Sequence, residues 1–205
     1  MLIGFIGKMG SGKSTAADFL VENYQFTKHN FKDGLDDELA ELYPKLLDHF
    51  RRYNGWTEET DILKVKPTCD EIRELKQKHG TEVRRAQDPE YWVKKWVHRY
   101  TQMFSENVCV DDVRFLNEVD AVKRFGGVIV RIVRSDVTDT GEHESETQLD
   151  GYEADFTITA DPGDIAMIQM SLEKIIEDDS RDREEDSDDS SSYAEYAEGL
   201  SKEGS

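Results

Sequence analysis

Basic residues are scarce in this chain, and so are cysteines, prolines and long apolar runs. Across 205 residues, 26 Lys and Arg stand against 45 Asp and Glu, for a formal net charge of −19. No direct contact with nucleic acid is expected, because a phosphate backbone demands clustered Lys and Arg. The two cysteines, Cys69 and Cys109, form no C-x-x-C pair. Neither a disulfide framework nor a zinc site is indicated, and a reducing, cytoplasmic compartment fits best. No apolar run approaches membrane-spanning length, and the apolar opening is too short and lacks the basic flank of a signal peptide. No membrane partner is expected. The length suits one domain with a full core and leaves little room for a second.

The charge is unevenly spread. Residues 177–205 hold 12 Asp or Glu and 3 Lys or Arg, a net of −9, while the rest of the chain carries −10. That last segment has no Val, Ile, Phe or Trp, and Leu200 is its one large aliphatic residue. It cannot bury enough surface to offset the entropy of ordering, so an acidic, disordered tail is expected over residues 177–205. Its Ser-Asp runs invite the hypothesis that it is phosphorylated.

What is present is concentrated at the start. Leu2-Ile3-Gly4-Phe5-Ile6 is the apolar run of a buried strand, and Gly7-Lys8-Met9-Gly10-Ser11-Gly12-Lys13-Ser14 fits G-x-x-x-x-G-K-[ST] directly after it. Thr15 to Val21 continues as an amphipathic helix. The glycines let successive backbone N–H groups aim at phosphate oxygens while the helix presents its positive end to the same anion. Lys13 then reaches the β- and γ-phosphates of a nucleotide, and the Ser14 hydroxyl holds Mg²⁺. Gly7 through Thr15 form the expected nucleotide-binding set.

Further along, Gln25 to Phe31 alternates as a second strand ended by Asp33-Gly34. Apolar residues from Leu35 to Phe50 recur at helical spacing, broken at Pro44 into two helices. Thr68-Cys69-Asp70-Glu71 fits a capping box, with Gly80 stopping that helix. Gly80 to Arg85 reads as a polar loop and a candidate site. Asp88-Pro89 starts another helix, whose stripe of Tyr91, Trp92, Trp96, Val97 and Tyr100 belongs mostly to the core, with room for one ring to face a nucleobase. Val108-Cys109-Val110 is a buried strand delivering Asp111 and Asp112 at its carboxyl end, where either carboxylate could meet the Mg²⁺ on Ser14. Asn117 to Phe125 is a helix stopped by Gly126-Gly127, and Val128 to Val133 and Asp155 to Thr159 are strands. Between those strands, a polar stretch of about residues 134–151 has the length and place of a lid. Its single His143 has no ligand partner at fixed spacing. A helix over Asp164–Ile176 closes the domain. The fold expected for residues 1–176 is α/β, a P-loop NTPase three-layer sandwich with a mostly parallel five-stranded sheet flanked by helices.

The ordered motifs resemble those of the phage-type deoxynucleoside monophosphate kinases, small P-loop enzymes related in fold to adenylate kinase. The resemblance rests on Gly7 to Ser14, Phe31-Lys32-Asp33, Gly80-Thr81-Glu82 with Arg85 and Trp92, Asp112-Val113-Arg114-Phe115 with Asn117-Glu118, Gly126-Gly127, and Arg134 followed by His143-Glu144-Ser145-Glu146. It spans about residues 1–176. It implies transfer of the γ-phosphoryl group of ATP, with Mg²⁺, to a deoxynucleoside monophosphate. It also implies catalytic roles for Lys13, Asp112, Arg114 and Arg134, an acceptor side of Asp33, Arg85, Trp92, Arg114 and Glu146, and a metal site of Ser14 and Asp112 with Asp111 in reserve, Asp112 serving either Mg²⁺ or the orientation of the acceptor. Members are often homodimers. Two departures stand out. Arg84 precedes the motif arginine, leaving open which of the two grips the acceptor, and Ala160-Asp161 replaces a segment that often carries Asn, putting an adenine contact there in question. Two rival readings share the P-loop: a dephospho-coenzyme A kinase, and a non-enzymatic ATP-dependent switch whose tail recruits a partner.

Overall fold

A computed structural model describes residues 1–65, 69–137 and 148–188. Its centre is a five-stranded sheet, β1 Leu2–Ile6, β2 Thr27–Lys28, β3 Val108–Val110, β4 Val128–Arg134 and β5 Phe156–Ala160. The spatial order is β2-β3-β1-β4-β5, and every pairing is parallel. All five residues of β1 are buried, as expected of a central parallel strand covered on both faces.

The period-two alternation of β1 divides the core. Ile3 and Phe5 pack with Ala16, Ala17 and Leu20 of α1 (Lys13–Tyr24) and Ile168, Leu172 and Ile175 of α7 (Ile165–Asp188). Leu2 and Ile6 point the other way, toward Trp96 of α5 (Tyr91–Tyr100) and Val119 and Val122 of α6 (Leu116–Arg124). The expected three layers are therefore present, and each fully buried aliphatic chain in them contributes about 1.5–3 kcal/mol. A third cluster, Leu39, Leu47, Ile62, Leu63 and Ile72, makes a satellite from α2 (Phe31–Leu42), α3 (Pro44–Tyr53), α4 (Asp70–Gln77) and the turn at residues 62–64 between the last two. Pro44 opens α3, where its missing N–H costs nothing.

Four element ends differ from expectation. The second strand is only two residues long, and Asp33-Gly34 lies inside α2: the Asn30 N–H donates to Asp33 Oδ2 at 2.8 Å, an N-terminal cap in place of a turn. Gly80 does not stop α4. The chain continues as a wide-turn π-helix over Lys78–Arg85, where the glycine admits Leu35 at a distance no side chain would allow comfortably and offers its carbonyl to the indole N–H of Trp92 at 3.0 Å. Helix α5 begins at Tyr91, because Asp88 accepts the Glu90 N–H at 3.0 Å and turns the chain first. Finally, α7 runs on to Asp188, past the Ile176 boundary expected for the acidic tail. Thr68 of the expected capping box lies outside the described residues.

Candidate active site

The strand order reverses around β1, so the carboxyl ends of β1, β3 and β4 converge on one edge, the place where open parallel sheets bind ligands. Three sets of candidate residues arrive there: the Gly7–Ser14 loop from β1, Asp111 and Asp112 from β3, and Arg134 from β4.

The loop has the backbone its glycines permit. Gly7, Gly10 and Gly12 take φ of 136°, 81° and 109°. A Cβ on Gly7 would fall 2.3 Å from the Ile132 carbonyl oxygen, so only glycine passes between β1 and β4 there. Lys13 curls over the loop, its Nζ donating to the Gly7 and Lys8 carbonyls at 2.5 and 2.8 Å. Ser11 is buried, and among the described residues its hydroxyl has no hydrogen-bond partner. A buried hydroxyl with nothing to bond, inside a ring of left-handed glycines at a helix start, fits a phosphate group. Thr15 is exposed in the first turn of α1, and Met9 and Gly10 are exposed at the loop tip.

Asp111 and Asp112 part company. Cys109 packs against α1 and Val110 against the other face, so alternation sends Asp111 to the side of Ser14. The Ser14 hydroxyl hydrogen-bonds its carboxylate, and Lys32 and Lys28 stand 3.3 and 3.4 Å away. Burial pushes the Asp111 carboxyl up, but the two lysines and the hydrogen bonds from Ser14 and Lys32 outweigh it and hold it below the usual range. An ionised carboxylate beside a serine hydroxyl fits a divalent cation, a hard ion that takes oxygen ligands. Asp112, the residue expected on the metal, is placed elsewhere. Its two oxygens accept the N–H groups of Phe31 and Lys32 at 3.0 and 2.8 Å, so it caps the start of α2. Asp33, expected on the acceptor, caps the same helix.

The arginines occupy three positions. Arg134 lines a groove with Gly7, Lys8, Ser11 and Arg131, its guanidinium forked onto Asp136 at 2.6 and 3.1 Å. Arg114 lines the adjoining part with Gly7, Lys8 and Asp150. Arg85 is drawn away, paired with buried Glu118 and stacked 3.8 Å above the Phe115 ring. Burial pushes Glu118 up to about 7, against the pull of Arg85. Arg84 pairs with Glu38, a buried carboxylate that also accepts from His79, Tyr91 and Lys95 at 2.9, 2.6 and 2.6 Å. Trp92, expected on the acceptor side, is 3% exposed with its N–H spent on Gly80, so it braces the helices and presents no face to a ligand.

Both described feet of the expected lid stand at this groove. Lys8 binds Asp150 at 2.6 Å, and Arg131 donates to the carbonyls of Leu149 and Tyr152 at 2.8 and 2.6 Å. Residues 138–147 lie outside the described residues, and with them His143, Ser145 and Glu146. Sequence reasoning passed over Arg131 and Asp150. For Arg131 a signal existed: one charge inside an otherwise aliphatic strand needs a partner.

The deoxynucleotide monophosphate kinase family model matches residues 52–171, more than half of the chain. The chain belongs to the deoxynucleotide monophosphate kinase family. The matched region begins after the phosphate loop, so the loop and the family match are independent observations. A provisionally named deoxynucleotide monophosphate kinase of Acanthamoeba polyphaga mimivirus is 30% identical over 161 residues, 73% of this chain and 82% of that protein. The deoxynucleotide monophosphate kinase of Escherichia phage RB69 is 31% identical over 109 residues, 51% of this chain and 44% of that one. Among solved structures, the shikimate kinase of Acinetobacter baumannii is 15% identical, with a TM-score of 0.46 over 86% of this chain and 93% of that one. As a member of this kinase family the protein is an enzyme that binds a phosphate donor, which sets aside the switch reading. No helix among the described residues is long and apolar enough to cross a membrane.

Proposed function

We propose that this kinase transfers the γ-phosphoryl group of ATP, with Mg²⁺, to the phosphate of a deoxynucleoside monophosphate, as a cytoplasmic step in DNA precursor supply. The observation that carries the reading is the Ser14 hydroxyl hydrogen-bonded to the ionised Asp111 carboxylate at the mouth of the phosphate loop.

An acceptor phosphate oxygen is anionic at neutral pH, so it attacks the γ-phosphorus without a general base, and the β–γ bridging oxygen leaves with ADP. What the chain contributes is positioning and charge neutralisation. The loop N–H groups and the Ser11 hydroxyl hold the donor phosphates. Lys13 exchanges its two carbonyl partners for the β- and γ-oxygens. Ser14 and Asp111 would hold Mg²⁺, which supplies charge neutralisation at the β- and γ-phosphates. Arg114 clamps the acceptor phosphate, and Arg134 at the foot of the lid offsets charge on the transferring group.

A coupled ADP-release assay tests this with Mg-ATP against dAMP, dGMP, dCMP, dTMP, their ribose counterparts and dephospho-coenzyme A. Turnover on at least one deoxynucleotide is expected, reduced by about 10²-fold or more in Lys13→Ala. Turnover on dephospho-coenzyme A alone, or on nothing in protein that binds ATP, would overturn the reading.

A further inference from the structure

Glu118 is 2% exposed, yet the reaction above gives it no proton to move. Its Oε2 accepts the backbone N–H of Arg114 at 2.7 Å and of Phe115 at 3.2 Å, while Oε1 takes the guanidinium of Arg85. Arg85 comes from the end of the π-helix. It also donates from Nη1 to the Pro89 carbonyl at 3.4 Å, a group that Asn117 of α6 reaches at 2.9 Å. A glutamate that merely caps a helix needs the Phe115 N–H and open solvent. Here a carboxylate and a guanidinium are both withdrawn from water, which is costly unless each is fully paired.

The placement of the pair gives it a use. The chain from Asp112 to Phe115 carries Arg114 to the groove lined by Gly7 and Lys8. That loop is held from two sides: Asp112 fastens it to the start of α2, and Glu118 with Arg85 fastens it to the π-helix and the Pro89 turn. A clamp residue must sit within a fraction of an ångström of its productive position, and buried supporting contacts of this kind secure it.

We infer that Arg85 and Glu118 are positioning residues, which fix the backbone at residues 114 and 115 so that Arg114 meets the acceptor phosphate, and that Arg85 does not itself grip the acceptor. The inference rests on the transfer to a deoxynucleoside monophosphate proposed above.

Steady-state kinetics with the accepted deoxynucleotide and Mg-ATP test it in wild type, Arg85→Ala, Glu118→Gln, Arg114→Ala and the double variant Arg85→Ala/Arg114→Ala. Arg85→Ala and Glu118→Gln should each raise the acceptor KM about 10-fold or more while the ATP KM stays within about 2-fold. In the double variant the acceptor KM should match that of Arg114→Ala alone, because Arg85 acts through Arg114. If the two single effects multiply instead, Arg85 grips the acceptor directly and the inference falls. Unchanged acceptor KM with only a lower melting temperature would overturn it as well. Should Glu118→Gln fail to fold, Arg85→Lys decides: it keeps the charge but loses the planar fork and the stacking on Phe115, and the same split is expected. A wild type silent on every deoxynucleotide would overturn the underlying reading and the inference together, whereas an active wild type with unsplit variants overturns the inference alone.

Discussion

Asp111 and Asp112 are neighbours in sequence with different surroundings, and substitution separates them. Asp111→Asn should lower turnover about 10²-fold or more and raise the Mg²⁺ concentration needed for half-maximal rate. Asp112→Asn leaves one side-chain oxygen where two accept the N–H groups that start α2, so it should cost about 1 kcal/mol of stability, read by urea unfolding, and leave the Mg²⁺ requirement unmoved. An unchanged Mg²⁺ requirement in Asp111→Asn would contradict the metal assignment. Glu38 shows how strongly a carboxylate can be held. Burial pushes it up, but hydrogen bonds from Lys95, Tyr91, His79 and Arg84 outweigh that and bring it down to about 2. Because the folded-state value lies below the ordinary one, near 4.5, its stabilisation is complete above about pH 4.5 and drains away as pH falls toward 2. The stability gap between wild type and Glu38→Gln, measured by denaturant unfolding at pH 7, 4 and 3, should therefore shrink with acid. A constant gap would show that the network adds no charge-dependent stability.

The unit made by β1, the phosphate loop and α1 could be read from sequence because one motif specifies strand, turn and helix together. Its geometry is also the least forgiving. Gly7→Ala would push a methyl group against the Ile132 carbonyl at a positive φ, so it should lose about 1–3 kcal/mol of stability and abolish ATP binding, both visible in a thermal-shift titration with ATP. A variant that still binds ATP normally would mean that the loop can move away from β4. Other elements were readable in kind but not in extent. Gly80 reads as a helix stop, since local sequence cannot show that Leu35 and the Trp92 indole approach it from elsewhere and favour a continued π-helix. The Asp33-Gly34 pair reads as a turn, yet Asn30 and Asp33 form a capping box legible three residues apart; what local sequence cannot show is Asp112 accepting the Phe31 and Lys32 N–H groups at the same helix start. Alternation through Cys109 and Val110 separates Asp111 from Asp112, but only the packed fold fixes which face of the sheet α1 covers. No local pattern announces the Arg85–Glu118 pair, whose members are far apart in sequence.

The molecule as a whole gathers its chemistry by topology. With β1 central and β3 and β4 beside it, the ends of three strands supply the phosphate loop, the ionised carboxylate and an arginine to a single edge. The acidic C-terminal segment stands apart from that edge in sequence and divides within itself, since α7 carries its first residues as helix to Asp188. Truncation after Asp188 should leave turnover and melting temperature as they are. Truncation after Ile176 should lower the melting temperature, because it leaves Ile175 and Ile176, which pack in the core, in the fraying last turn of α7. Equal melting temperatures for the two truncations would show that the outer part of α7 adds nothing to the fold. The central claim, that a phosphoryl group passes from ATP to a second nucleotide, is tested most directly by following the phosphorus. With γ-labelled ATP, Mg²⁺ and each deoxynucleoside monophosphate in turn, chromatographic separation should find the label in a deoxynucleoside diphosphate, in wild type and not in Lys13→Ala. Label recovered only as inorganic phosphate, whichever deoxynucleotide is present, would show an ATP hydrolase and contradict the account.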